Sequence, residues 1–308
     1  MTLRGSAGRR IAAALATGAL TAVLLAVSGP PALAQAWVPP AGAGSVTLLT
    51  QYISNTGHRL DDGSLIADGK SKNVALYLEA EYAPTDRLSL SVGIPYVFAR
   101  YVGPGPSLAN LPVDSCRCWH AGWQDFGFTA RVNLLGGAFA LTPSVSYGVP
   151  SHAYNYEGEA VLGRRLQEVR LAVDAGARLD RISPKLSVQG RYAYAFVEQV
   201  LGVPNNRSNV SIEPAFQFTR RLAVRGLVLF QHTHGGLRVP ADLMTPELFR
   251  QHDRLLRDNN WRLGAAASYS WSRLDVFGSY VEYMDGRNTH AGRVFTAGVS
   301  WPFEWRMR

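Results

Sequence analysis

The chain has 308 residues, 47% of them hydrophobic and only 18% charged, with a formal charge of +8 at neutral pH. Three arginines of that excess (Arg4, Arg9 and Arg10) precede the first apolar run and the others are scattered, which argues against a nucleic-acid partner. Beyond residue 34 there is no second long apolar segment, so a bundle of membrane-spanning helices is excluded.

The basic start is followed by apolar residues 11–27, and Pro31-Ala32-Leu33-Ala34 then puts small side chains before Gln35. This is the layout of a secretory signal peptide cut after Ala34, giving a leader at 1–34 and a mature domain at 35–308. No linker-like shift of composition divides the roughly 270 mature residues, so one large domain is expected.

From there the chain falls into runs with a period of two. A less regular run at 45–54 comes first. Leu76, Leu78, Ala80 and Tyr82 then oppose Tyr77, Glu79 and Glu81, and Leu88, Leu90, Val92, Ile94, Tyr96 and Phe98 oppose Arg87, Ser89, Ser91 and Gly93. Phe126, Phe128, Ala130 and Val132 oppose Asp125, Thr129 and Arg131; Phe139, Leu141, Val145 and Tyr147 oppose Thr142, Ser144 and Ser146. Val169, Leu171, Val173 and Ala175 oppose Glu168, Arg170, Asp174 and Arg178; Leu186, Val188, Tyr192 and Tyr194 oppose Ser187, Gln189 and Arg191. Val210, Ile212 and Phe216 oppose Ser211, Glu213 and Gln217, and Leu222, Val224, Val228 and Phe230 oppose Arg225 and Gln231. Trp261, Leu263 and Ala265 oppose Arg262 and Gly264, and the last run sets Phe295, Ala297, Val299 and Trp301 against Thr296 and Ser300. Between these two, residues 273–284 mix their faces, with Phe277 and Val281 opposite Leu274 and Val276.

That makes about twelve strands of roughly ten residues, the length that crosses a bilayer when tilted. Their connections alternate between short (84–87, 135–138, 180–184, 219–221, 270–273) and long (near 55–73, 102–122, 150–166, 198–207, 233–258, 285–292). Short periplasmic turns, longer outer loops and an even strand number predict an all-β fold, a transmembrane antiparallel up-and-down barrel. The charges decide which face looks inward, because each would cost about 2–4 kcal/mol against lipid at the midplane. The Leu face therefore meets lipid, with Tyr82, Tyr96, Tyr147, Tyr192, Tyr194, Trp261, Tyr269, Trp301 and Trp305 toward its rims. Pro143 and Pro214 each delete a ladder donor, which predicts bulges there. Residues 241–257 predict a short helix in the largest outer loop, capped by Thr245 and started by Pro246.

The stretches EYAPTDRLSLSVGIPYV, GWQDFGFTARVNLL, HDRLLRDNNWRLG and GRNTHAG resemble an outer-membrane transporter family associated with the meta-pathway of phenol degradation. The resemblance implies a barrel and the passage of small, aromatic or hydrophobic compounds. Its motifs are turn-and-strand patterns, and they carry over no binding residue.

The inward face supplies the candidate lumen lining: Glu79, Glu81, Arg131, Glu168, Arg170, Asp174, Arg178, Arg191, Glu213, Arg225 and Arg262. Cys116-Arg117-Cys118-Trp119-His120 admits a disulfide between Cys116 and Cys118, a soft-metal trio with His120, a contact with another chain, or free thiols. A bridge across one intervening residue is strained. His232, His234, His252 and His290 are loop or strand-exit histidines, read either as solvated or as an outer metal or proton-sensing cluster. Ser151-His152 suggests a hydrolase, but neighbours on a strand point to opposite faces, poor geometry for proton transfer.

These features point to passive movement of a small solute across the Gram-negative outer membrane, with no enzymatic activity and no cofactor. The alternative is a structural or surface-binding barrel whose lumen is closed by ion pairs; an outer-membrane hydrolase is the third reading. Expected partners are outer-membrane lipid, the small-molecule solute and the barrel-assembly machinery during insertion, and no nucleic acid.

Overall fold

The computed structural model describes residues 36–67, 69–103, 116–157, 160–239, 241–242 and 245–305, so the expected leader lies outside the described residues. The elements are β1 (Ala43–Arg59), β2 (Leu65–Ile66), β3 (Lys70–Thr85), β4 (Leu88–Val102), β5 (His120–Trp123), β6 (Asp125–Val132), β7 (Phe139–Pro150) and β8 (Glu168–Arg178). They continue with β9 (Leu186–Val197), β10 (Asn205–Gln217), β11 (Leu222–Gly235), α1 (Pro246–Arg250), α2 (His252–Leu255), β12 (Asn259–Trp271), β13 (Leu274–Arg287) and β14 (Thr289–Glu304). β2 is a short addition to β1, and β5 and β6 form one stave interrupted at Gln124, since both pair with β4.

Twelve antiparallel staves result, and β14 pairs with β1 from Ala43↔Glu304 to Arg59↔Thr289 to shut the ring. Closure has a physical cause. In hydrocarbon an unpaired backbone N–H or C=O costs several kcal/mol, so a membrane sheet leaves no edge. Among the described residues, no helix is long and apolar enough to cross a membrane.

The pleat sorts the side chains as the charges require. Leu78 and Leu171 are 45% and 50% exposed, whereas Glu79 and Arg170, their chain neighbours, are 6% and 9% exposed. Exposed rings edge the outward apolar band: Tyr269, Trp271, Trp301 and Trp305 at the short-turn end, Trp123 and Trp261 at the other. Tyr82 packs on Trp305 at a ring distance of 6.4 Å, and Tyr96 on Trp123 at 5.0 Å.

Several expectations are corrected. β1 and β14 run to 17 and 16 residues, well beyond a bilayer crossing of about 9–11, so the wall continues past the membrane. The loop expected at 285–292 is instead a reversal at Asn288, whose φ of 48° makes the turn between β13 and β14. Pro214 makes no bulge, whereas across Pro143 the pairing slips by one residue, from Arg131↔Ser144 to Leu135↔Leu141. Pro143 lies just past the last β6–β7 pair, Arg131↔Ser144, and Pro214 falls in a gap of the β10–β11 ladder without a register shift. Each missing donor thus sits where one ladder has already lapsed. Further shifts occur at Asn55/Gly57, Tyr82/Thr85 and Trp261/Arg262. The mixed run at 273–284 resolves with Phe277 and Val281 buried inside. The Phe277 ring lies against Gly298, where a Cβ would come within 2.4 Å of it, so only glycine admits that ring.

The pleat is tested by Val173→Arg, on the outward face of β8. It should lower stability by about 2–4 kcal/mol in urea titrations of the protein folded in lipid vesicles. An unchanged midpoint would place Val173 away from hydrocarbon.

Candidate functional site

The interior is divided into two unlike arcs. From β3 round to β11 many inward positions are charged and paired, within one stave, with the next stave or with the one beyond it. Arg131 Nη1 lies 3.3 Å from Glu81 Oε1. Arg191 donates to both oxygens of Asp174, at 3.1 and 2.8 Å. Arg170 and Arg207 share the carboxylate of Glu168. Glu213 accepts from Gln189 Nε2 at 2.9 Å and stands 3.7 Å from Arg225 Nη1. Glu79 is buried on β3 beside this row.

The remaining arc, from β11 through β14 to β1, carries few charges and mixes buried polar side chains such as Thr47, Ser279 and Thr296 with apolar ones. Leu227, Ala266 and Val281 pack together, with Phe277, Val294 and Leu49 buried on the same wall. Arg262 interrupts it, its guanidinium 5.3 Å from the Tyr283 ring centroid. Arg178 stands apart from both arcs: at the short-turn end of β8, exposed, 3.7 Å from Asp180.

Both mouths are narrowed by chain that folds inward. At the short-turn end the segment before β1 crosses the hollow to the far wall. The Ala36 carbonyl accepts from Thr142 Oγ1 at 2.7 Å, the Trp37 carbonyl from Arg131 Nη2 at 2.8 Å, and Trp37 Nε1 donates to the Gly137 carbonyl at 3.1 Å. Gly176 makes room for it: a Cβ there would meet the Trp37 ring at 2.5 Å.

At the other end the β11–β12 loop enters the barrel. Thr245 Oγ1 accepts from Leu248 N at 3.3 Å, capping α1, and α2 carries the fully buried Leu255 into a cluster with Leu166, Ala195, Val197 and Leu237. Arg164, from the β7–β8 loop, donates Nε and Nη2 to the Arg254 carbonyl at 2.9 and 2.8 Å and reaches Asn205 Oδ1. Burial, and then the like charge of Arg207, holds its guanidinium down to about 9, still protonated at neutral pH. Asn288 ties the loops together, donating Nδ2 to Asp61 at 2.7 Å and accepting from Val239 N at 2.7 Å. Between the two obstructions lies a cavity of about 230 Å³, lined among others by Leu49, Tyr77, Glu79, Glu168, Arg170 and Arg207. Drug-sized pockets start at about 300 Å³, so this space suits a smaller molecule.

Sequence patterning found the paired acids and bases but missed Arg164, Arg207 and the Ala36–Trp37 segment. None of these has a periodic signature, because each is placed by chain folding inward or by a strand starting earlier than its pattern. The remaining candidates fall out as follows. Cys116 and Cys118 are joined by a disulfide, and Arg117 between them takes the left-handed φ of 51° that closes so small a ring. Their sulfurs lie near His120 Nε2, at 3.4 and 3.6 Å, but as a disulfide they offer no thiolate to a metal. His232 and His234 sit on β11 with ring centroids 4.7 Å apart, while His290 belongs to β14 and His252 to α2. The geometric objection to Ser151-His152 is corrected: the pair lies beyond β7, and Ser151 Oγ approaches His152 Nδ1 to 2.8 Å.

No family model matches the sequence, and no curated protein matches it. Solved structures do. The barrel superposes on an outer membrane channel from Pseudomonas putida F1 with a TM-score of 0.67 and 15% identity, over 87% of this chain and 97% of that one. The translocator domain of autotransporter NalP from Neisseria meningitidis gives 0.50 and 11%, over 86% of this chain and 90% of that one. The NanC porin gives 0.50 and 9%, over 85% and 100%. The likeness is one of fold. It is the fold of outer-membrane barrels.

The ionic row can be measured. Asp174→Asn, which strands Arg191 in the lumen, should cost about 3–5 kcal/mol, less whatever lumen water returns. Asp174→Leu combined with Arg191→Met should recover most of that loss. A double-variant loss equal to the sum of the two single-variant losses in vesicle unfolding would show that the pair is not coupled.

Proposed function

We propose that this chain is an outer-membrane channel that moves a small solute passively, with its two inward-folded segments setting the bore. The observation that carries the reading is the cavity between those segments, where apolar side chains (Leu49, Tyr77, Leu166) and charged ones (Glu168, Arg170, Arg207) meet. A small aromatic or hydrophobic compound with one polar group would set its ring against Leu49, Tyr77 and Leu166 and its polar end on Arg170 or Arg207, all of which line the same cavity. The resemblance to the phenol meta-pathway transporters favours the same solute class. In this reading Glu79, Glu81, Arg131, Arg170, Arg191, Arg225 and Arg262 line the route, the leader is removed on export, and lipid and the assembly machinery are the chain's other partners. A second reading, a barrel sealed by its own ion pairs, is supported by the same salt bridges and by the covered mouths.

Conductance separates the two. Planar-bilayer recordings of the wild type should show small single-channel steps, and deletion of residues 36–39 or Gly176→Leu should enlarge them by opening the short-turn mouth. Liposomes should admit phenol-sized aromatics faster than sugars of equal mass. A barrel that neither conducts nor admits solute after the deletion is sealed, and the channel reading ends there. Esterase assays of wild type and Ser151→Ala on the same samples should both read zero.

A further inference from the structure

Histidines that the sequence scatters over distant segments converge at the outer mouth. His58, near the end of β1, and His290, near the start of β14, are directly opposed cross-strand partners, with ring centroids 4.2 Å apart. The inward loop brings Asp253 of α2 to them: its Oδ1 lies 3.9 Å from His290 Nε2 and 3.5 Å from His252 Nε2. One donor atom from each of His58, His290 and Asp253 falls within 4.8 Å of the others, and all three side chains are partly buried. A carboxylate beside one imidazole is an ordinary pair. A second imidazole on the same side adds nothing to that pair, and its charged form would repel the first. A cation with open coordination sites uses all three.

We propose that His58, His290 and Asp253 bind one divalent transition-metal ion, and that the ion clasps the inward loop to the β1–β14 seam. Two imidazoles and a carboxylate suit zinc, nickel or copper and disfavour calcium and magnesium, which take oxygen ligands. Ligands about 2.0–2.2 Å from such an ion stand roughly 3–3.5 Å apart, so the present spacing closes by about an ångström or by side-chain rotation alone. The ligands come from the first stave, the last stave and the plug loop. Metal binding therefore ties loop position to ring closure. The site lies away from Cys116–Cys118 and from the His232–His234 pair on β11.

The test uses the full-length untagged chain, folded in detergent and checked by heat-modifiable migration. Calorimetric titration with zinc should give one equivalent, cobalt should give a visible ligand-field spectrum, and magnesium should give neither. His58→Gln and His290→Gln should each weaken zinc more than the roughly 10–100-fold typical of losing an outer-shell partner. A His232→Gln, His234→Gln double variant should bind as the wild type does. Zinc should also slow amide exchange over residues 246–256 in the wild type but not in Asp253→Asn. Absence of saturable zinc uptake, or uptake that survives both His58→Gln and His290→Gln, overturns the site. Stoichiometric uptake with unchanged exchange in the loop overturns the clasp. Neither readout depends on conduction, so the site and the channel reading stand or fall separately.

Discussion

Hydrocarbon offers no partner for a backbone amide, and the rest of this molecule follows from that. The sheet must close on itself, so β1 finds β14 along the full length of both. Once the ring is closed, strict alternation gives every second side chain to lipid and every other one to the hollow. The segregation of Leu and Val from Glu and Arg along each stave is the sequence answer to that geometry. A charge turned outward and a leucine turned inward would be penalised together, which fixes the register of each strand against slippage.

Inside, the problem is reversed. Buried guanidinium and carboxylate groups are costly alone and tolerable in company, so the charged arc sets them within reach of one another: Glu81 with Arg131, Asp174 with Arg191, Glu168 with Arg170 and Arg207. Such pairs add little net stability, but they hold long side chains flat against the wall. Twelve staves give a hollow wider than eight and narrower than sixteen. The chain fills part of it with its own backbone from both ends and leaves a pocket where apolar and charged side chains meet.

The staves were legible because their signal is local. Val173 and Asp174 are adjacent, and a period of two needs no knowledge of what lies across the barrel. Phe277 and Val281 looked misplaced only because the pattern assumes a wholly polar interior, and this one has apolar patches. The turn at Asn288 was read as a loop because its flanks carry polar residues, which a wall rising above the membrane also carries. What the sequence could not show are the contacts made by inward-folded chain. Ala36 meets Thr142 across 106 residues and Gln189 across 153, and His58 meets Asp253 only because a loop turns into the mouth. Ser151 and His152 were misjudged for a smaller reason: the rule for strands was applied one residue past the end of one.

The segment at Ala36 and Trp37 leaves the first stave and fastens to β6, β7, β8 and β9, with Gln189 on the stave diametrically opposite β1. Its anchors are therefore residues synthesised long after it. Occupation of the bore thus depends on some of the most distant pairings in the molecule, of the kind that make chains fold slowly.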